Sequence, residues 1–201
     1  MEKVGTVNSS DLFICWWNKD DFTCALVRII DIDENLKEAT VRNLLTMCLG
    51  QDGQEKGSLM GEQRPFYEED NWVKMSLAIP FKYKPGTHFV YNNVGPYLAG
   101  ILVQRRSGCD LVSYLTPRLF SKLGIKRPTW ETDPLGNSFG AGGLFLTLSE
   151  LHKFGLFYLN KGKWNGKQIL SEKWIEESTK AADVGSVSYT HLRAHETDSY
   201  L

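Results

Sequence analysis

The stretch Pro85-Gly86-Thr87-His88-Phe89-Val90-Tyr91-Asn92-Asn93, running straight into the glycine-and-apolar pattern Gly95 to Gly108, constrains this chain more than any other. Proline fixes its own φ and glycine accepts a positive one, so the Pro-Gly pair sets a turn. The β-favouring residues after it end in Tyr-x-Asn. A helix then begins near Gly95, with Leu98, Ile101 and Leu102 on one face and Ser107-Gly108 as its stop. A phenol and a carboxamide are thereby placed two positions apart at a loop-to-helix junction, where side chains can face a cleft rather than a core. The Tyr91 phenol can take or give a proton there, and the Asn93 carboxamide can hold a substrate amide. Asn92 reads as a turn residue and His88 as polar surface.

Capping signals organise much of the remainder. Thr40 opens a helix whose apolar face is Val41, Leu44, Leu45 and Cys48, with Gly50 as its stop. Residues 51–65 are polar and glycine-rich, a surface loop. Asp70 caps a second helix with Trp72, Val73 and Leu77 inward, ending before Pro80. Beyond Gly108, Asp110 caps a short helix carrying Leu111, Tyr114 and Leu115. Thr116-Pro117 reads as an N-cap with proline at the first helical position, opening another short helix that Gly124 closes. A loop rich in proline, aspartate and glycine follows to Ser138, and Gly142-Gly143 reads as a tight turn or a close approach. Thr147 and Glu150 form a capping box before Leu151, Phe154 and Tyr158. Asn165-Gly166 marks a hairpin turn, and Ser171 caps a last helix through Trp174 and Ile175.

The two ends of the chain read differently. Residues 1–32 hold neither a helix nor a strand period for long and are left unassigned; Trp16-Trp17 there reads as core or as misread coding sequence. Residues 181–201 have no amphipathic period and are expected to be a non-native tail. The working domain is therefore residues 33–180, an α+β unit dominated by helices.

Composition narrows the function. The net charge of −1 provides no basic field for nucleic acid. The longest apolar runs, such as Leu98 to Val103, are far too short to span a membrane. Met1 to Ser10 lacks the apolar core of a signal peptide, which leaves the cytoplasm as the default compartment. Cys15, Cys24, Cys48 and Cys109 form no Cys-x-x-Cys pair and read as small buried hydrophobes; the four histidines share no helical spacing. No metal and no other cofactor is expected.

Four stretches together resemble the β-lactamase-related serine hydrolases, the group of class C β-lactamases, D-alanyl-D-alanine peptidases and esterases. They are Thr40 to Met47, the block from Pro85 to Gly95, Leu115 to Gly124, and Ala141-Gly142-Gly143-Leu144 with Thr147 and the Trp164-Asn165-Gly166 hairpin. They keep the family's order over residues 34–179, and their wording is nearest to bacterial members described simply as serine hydrolases. The resemblance implies the mostly helical portion of the serine β-lactamase and penicillin-binding fold, with the main antiparallel sheet largely missing. It implies acyl transfer to a serine of a Ser-x-x-Lys motif, with a small-molecule amide or ester as substrate. Tyr91 would be the general base and later acid, and Asn93 would bind the acyl side chain's amide.

The chain departs from the family pattern at two motifs. The sequence contains no Ser-x-x-Lys, and no Lys-Thr-Gly or His-x-Gly; Lys122-Leu123-Gly124 belongs to a helix end. A free tyrosine, with a pKa of about 10, is only about 0.1% phenolate at pH 7, and bringing it near 7 takes about 4 kcal/mol of preferential phenolate stabilisation. In the family the two motif lysines would supply it. The expectation is thus a segment cut at both ends, inactive alone, marginally stable, with apolar helix faces exposed. Two alternatives stay open: a non-catalytic member that binds peptide or glycan, and a non-functional assembly fragment.

Overall fold

Short polar side chains in front of apolar runs decide where most helices start, and the computed structural model of the protein shows how. It describes residue 35, residues 38–51 and residues 70–180, together with the backbone of three strands within the first 28 residues. Thr40 accepts from the Asn43 N–H while the Asn43 side chain accepts from the Thr40 N–H, a capping box that opens α1 (Val41–Leu45). α2 (Trp72–Ala78) is capped by Asn71, whose side chain accepts from the Lys74 N–H; the cap is thus one residue after the expected Asp70. Asp110 and Ser171 cap α4 (Leu111–Leu115) and α7 (Glu172–Thr179) as expected. Thr147 and Glu150 close their box at the start of α6 (Leu148–Leu159).

α3 (Val94–Ser107) is the central helix, ended by Gly108 in the left-handed conformation. It packs on α1 so closely that a Cβ at Gly95 would lie 2.2 Å from the Leu44 carbonyl oxygen. Val94, Tyr97, Leu98 and Ile101 join Leu44, Leu49, Trp72, Val73 and Leu77 in one buried cluster. On its far side Gly100 meets Gly140, whose own Cβ would come within 2.9 Å of the Pro96 carbonyl oxygen. Gly143, with φ +72, leaves no room for a Cβ against Glu131. The glycine run is therefore a close-packing device, one of the two readings its sequence allowed.

After α4 the chain does not break at Pro117. Residues Thr116–Phe120 form a single π-helical turn in which the Ser121 N–H donates to the Thr116 carbonyl, and this continues into α5 (Ser121–Leu123). Thr116 is itself helical, and its hydroxyl donates back to the Val112 carbonyl rather than capping a new helix. A proline within a helix has no N–H to give and crowds the preceding turn, so a one-residue bulge absorbs it without ending the helix. Phe120, Leu123, Ile125 and Phe157 form the second buried cluster. Around it lie Trp130, Phe154, Tyr158, Trp164, Ile169 and Leu170.

Strands are few and short. In the first 28 residues β1 (Glu2–Lys3), β2 (Phe13–Trp17) and β3 (Cys24–Arg28) pair antiparallel in that order, where the sequence held no sustained period. β4 (Thr129–Trp130) pairs with β5 (Leu144–Phe145). β6 (Lys163–Trp164) and β7 (Lys167–Gln168) make the expected hairpin, with Asn165 and Gly166 both at positive φ. The molecule is mostly helical with small antiparallel sheets.

Several local expectations shift. α1 ends at Thr46, so Gly50 is not its stop; Gly50 instead sits at φ +93 with its carbonyl accepting from Lys82 and Tyr83. Leu45 is exposed, while Leu44 and Cys48 are buried. Gln51 is buried, its Nε2 donating to the Ser76 carbonyl at 2.6 Å, where the sequence suggested the start of a surface loop. In α6 the buried apolar side chain is Phe157, and Leu151 is exposed. Cys109 is only partly buried. The rest of the 51–65 loop from residue 52 onward, the proposed tail 181–201 and the side chains of Trp16-Trp17 lie outside the described residues.

Candidate active site

The loop carrying Tyr91 is built as an attachment to the end of α1. Met47 reverses the chain at φ +54 just beyond α1, and its carbonyl and that of Cys48 are then taken by the loop. The Gly86 N–H donates to the Cys48 carbonyl at 2.7 Å, and the Val90 N–H donates to the Met47 carbonyl at 3.1 Å. Within the loop Gly86 turns at φ +83 and Thr87 donates its hydroxyl to the Lys84 carbonyl. His88 is exposed, stacks on Tyr83 with ring centroids 3.9 Å apart, and shares a 2.9 Å hydrogen bond between its Nδ1 and Thr87 Oγ1. The β-favouring residues 87–91 form no strand; they are held one by one as a loop.

Asn92 closes the junction. It is 5% exposed. Its Nδ2 donates to the Val90 carbonyl at 2.6 Å, and its Oδ1 accepts from the Gly95 N–H at 2.9 Å. It therefore does the work of an N-cap for α3. Asn93 already has helical backbone angles and makes no capping hydrogen bond with its side chain. Tyr91, held between Val90 and Asn92, is 51% exposed. The two residues singled out in sequence thus share the N-terminal end of α3, Tyr91 on the loop before it and a partly buried Asn93 at its cap position.

A second tyrosine, which the sequence did not single out, behaves oppositely. Tyr97 is fully buried, and its hydroxyl donates to Asp133 Oδ2 at 2.6 Å. Burial pushes this phenol far up, and the hydrogen bond and charge of Asp133 push it further. Asp133 is buried too and also accepts from the Asn137 N–H and Nδ2. Alongside, Ser138 donates its N–H to Gln104 Oε1 at 2.7 Å and accepts at its carbonyl from Gln104 Nε2. These bonds fasten the 131–143 loop onto α3. The available clue was Tyr97 lying three residues after Val94 and four before Ile101, an apolar helical face on which a tyrosine needs a buried acceptor.

Chemically, Tyr91 is the phenol that can meet a substrate, and Tyr97 is locked as a hydrogen-bond donor. Two depressions among the described residues lie elsewhere: one of about 320 Å³ at Asn160, Lys163, Trp164, Asn165 and Gly166, and one of about 210 Å³ lined by Phe120, Leu144, Leu146, Leu151 and Phe154. Among the described residues no three His, Cys, Asp or Glu side chains converge on a metal position, and no helix is long and apolar enough to cross a membrane.

The family model described as Beta-lactamase matches residues 31–191. Among solved structures, the chain is similar to a Bacillus anthracis protein assigned as a 6-aminohexanoate-dimer hydrolase, with 23% identity and a TM-score of 0.60 over 72% of this chain and 42% of that one. It is similar to the octameric penicillin-binding protein homologue from Pyrococcus abyssi, with 21% identity and a TM-score of 0.52 over 72% of this chain and 39% of that one. It is also similar to the D-amino acid amidase from Ochrobactrum anthropi, with 21% identity and a TM-score of 0.52 over 72% of this chain and 52% of that one. In each case the alignment takes in only about two fifths to one half of the solved chain. No curated protein matches.

Proposed function

The chain belongs to the Beta-lactamase family, and from that premise we propose that it supplies the Tyr-x-Asn part of a serine hydrolase working by acyl transfer. The observation that carries this reading is the half-exposed phenol of Tyr91, on a backbone held by hydrogen bonds before and after it at the start of α3. In this account Tyr91 is the general base and then the general acid, and Asn93 binds the acyl amide. The substrate is a small amide or ester.

The reaction runs in two halves. A serine hydroxyl attacks the substrate carbonyl carbon while Tyr91, as general base, takes its proton, giving a tetrahedral intermediate. That intermediate collapses with the proton passed from Tyr91 to the leaving amine or alcohol, leaving an acyl-serine. Water then attacks the acyl carbon, again losing its proton to Tyr91, and the serine leaves with that proton. Asn93 donates its carboxamide N–H to the carbonyl of the substrate's acyl side chain, which fixes the substrate against the nucleophile. The 201-residue sequence contains neither Ser-x-x-Lys nor Lys-Thr-Gly or His-x-Gly, so this reading gives the chain two groups of the site and not its nucleophile.

The test uses a protein in which this segment is joined to a Ser-x-x-Lys segment. Tyr91→Phe is expected to lower kcat for a chromogenic ester by about 10²- to 10⁴-fold, the usual range for a lost general base. Asn93→Ala is expected mainly to raise KM. Full activity in the Tyr91→Phe protein contradicts the assignment.

A further inference from the structure

We propose that Asn92 is the positioning residue for Tyr91, beyond its service as a helix cap. The inference rests on the reading of Tyr91 above, but it is tested without catalysis.

The geometry separates two jobs for one carboxamide. A cap needs only an acceptor, and Asn92 Oδ1 provides it to the Gly95 N–H at 2.9 Å. The Nδ2 end does something a cap does not require: it reaches back past Tyr91 and donates to the Val90 carbonyl at 2.6 Å. Val90 is in turn tied through its N–H to the Met47 carbonyl. The backbone just before Tyr91 is thus joined through one buried side chain to the first turn of α3 just after it. Tyr91 is the residue this clamp spans, and its side chain is left outside while Asn92 is 5% exposed. Gly95 permits the clamp to sit where it does, since a Cβ there would strike the Leu44 carbonyl at 2.2 Å. The backbone that carries the phenol is therefore held on both sides by a carboxamide with both ends in use. Residue types with only an acceptor can start the helix but cannot hold the loop.

That difference supplies the test. Asn92→Asp keeps a cap acceptor and replaces the donor with an oxygen facing the Val90 carbonyl; Asn92→Ala removes both. The 201-residue chain and both variants are labelled with 3-fluorotyrosine, and the Tyr91 resonance is assigned with Tyr91→Phe. The expected result is a shifted or split Tyr91 signal in both variants, with the Tyr97 signal unmoved as a control for folding. If Asn92→Asp restores the original signal, Asn92 is a cap alone and the proposal is overturned. Unmoved Tyr91 signals in both variants overturn it as well.

A measurement on the unaltered chain needs no variant to fold. The Asn92 side-chain amide protons are expected to exchange with solvent much more slowly than those of an exposed asparagine such as Asn165. Equal exchange overturns the proposal. A Tyr91 that turns out not to be catalytic would leave these fluorine and exchange results unchanged, so the two readings fail separately.

Discussion

At the level of single residues, the division of labour between the two tyrosines of α3 and its approach is the main lesson. Tyr91 and Tyr97 lie six positions apart. One is half exposed; the other is sealed against Asp133. Removing the buried hydroxyl in Tyr97→Phe takes one donor from a buried carboxylate, so a loss of about 1–3 kcal/mol is expected in chemical denaturation, with the fold retained. Tyr91 was singled out in the sequence because its block resembles a family motif. Tyr97 was not, because its partner Asp133 is thirty-six residues away in a loop with no periodic pattern. Glu150 illustrates a titratable group whose role is stability. Its carboxylate accepts from the Lys126 N–H, the Thr147 N–H and the Thr147 hydroxyl, and in that order these hold its pKa down to about 2. A carboxyl depressed on folding stabilises the protein above its unfolded value of about 4.3 and loses that contribution as pH falls through the folded value. The thermal midpoint is therefore expected to fall between pH 5 and 2. Glu150→Gln, which removes the charge and keeps one of the two accepting oxygens, is expected to flatten that fall.

At the level of elements, glycines separate close contacts from free surface. Gly95 and Gly155 both lie inside helices, where alanine is intrinsically better by about 1 kcal/mol. A Cβ at Gly155 meets nothing within 4 Å, whereas one at Gly95 lies 2.2 Å from a backbone oxygen of α1. Gly155→Ala is expected to stabilise by about 0.5–1 kcal/mol. Gly95→Ala is expected to destabilise by about 1–3 kcal/mol, because two backbones must part. Paired denaturant midpoints check both signs. The same contrast explains what sequence could reveal about elements. Thr40, Asp110, Thr147 and Ser171 cap their own helices through bonds three residues long, so local spacing sufficed. The passage through Pro117 could not be foreseen that way, since a cap and a π turn begin with the same Thr-Pro pair; Phe120 at the end of the turn is buried in the second cluster. β2 and β3 pair residues up to fifteen positions apart without a strict alternation to announce them.

At the level of the whole molecule, the helices enclose two buried clusters, yet one face is left apolar. Phe145, Leu148 and Leu151 are exposed, Leu148 by 84%, beside the depression that Phe120 and Phe154 help to line. The sequence-based expectation of exposed apolar helix faces holds there. The similar solved structures extend well beyond the portion this chain matches, and the family's nucleophile motif is absent from these 201 residues. Under the proposed function, Tyr91 and Asn93 handle the proton and hold the substrate at an acyl-transfer site, and the 201 residues contain no Ser-x-x-Lys to supply the serine. The most direct measurement is treatment of the purified 201-residue chain with a fluorophosphonate probe, read by intact mass, alongside turnover of a chromogenic ester. An unmodified mass and no turnover above buffer are expected; stoichiometric modification of one serine would show that the chain holds its own nucleophile.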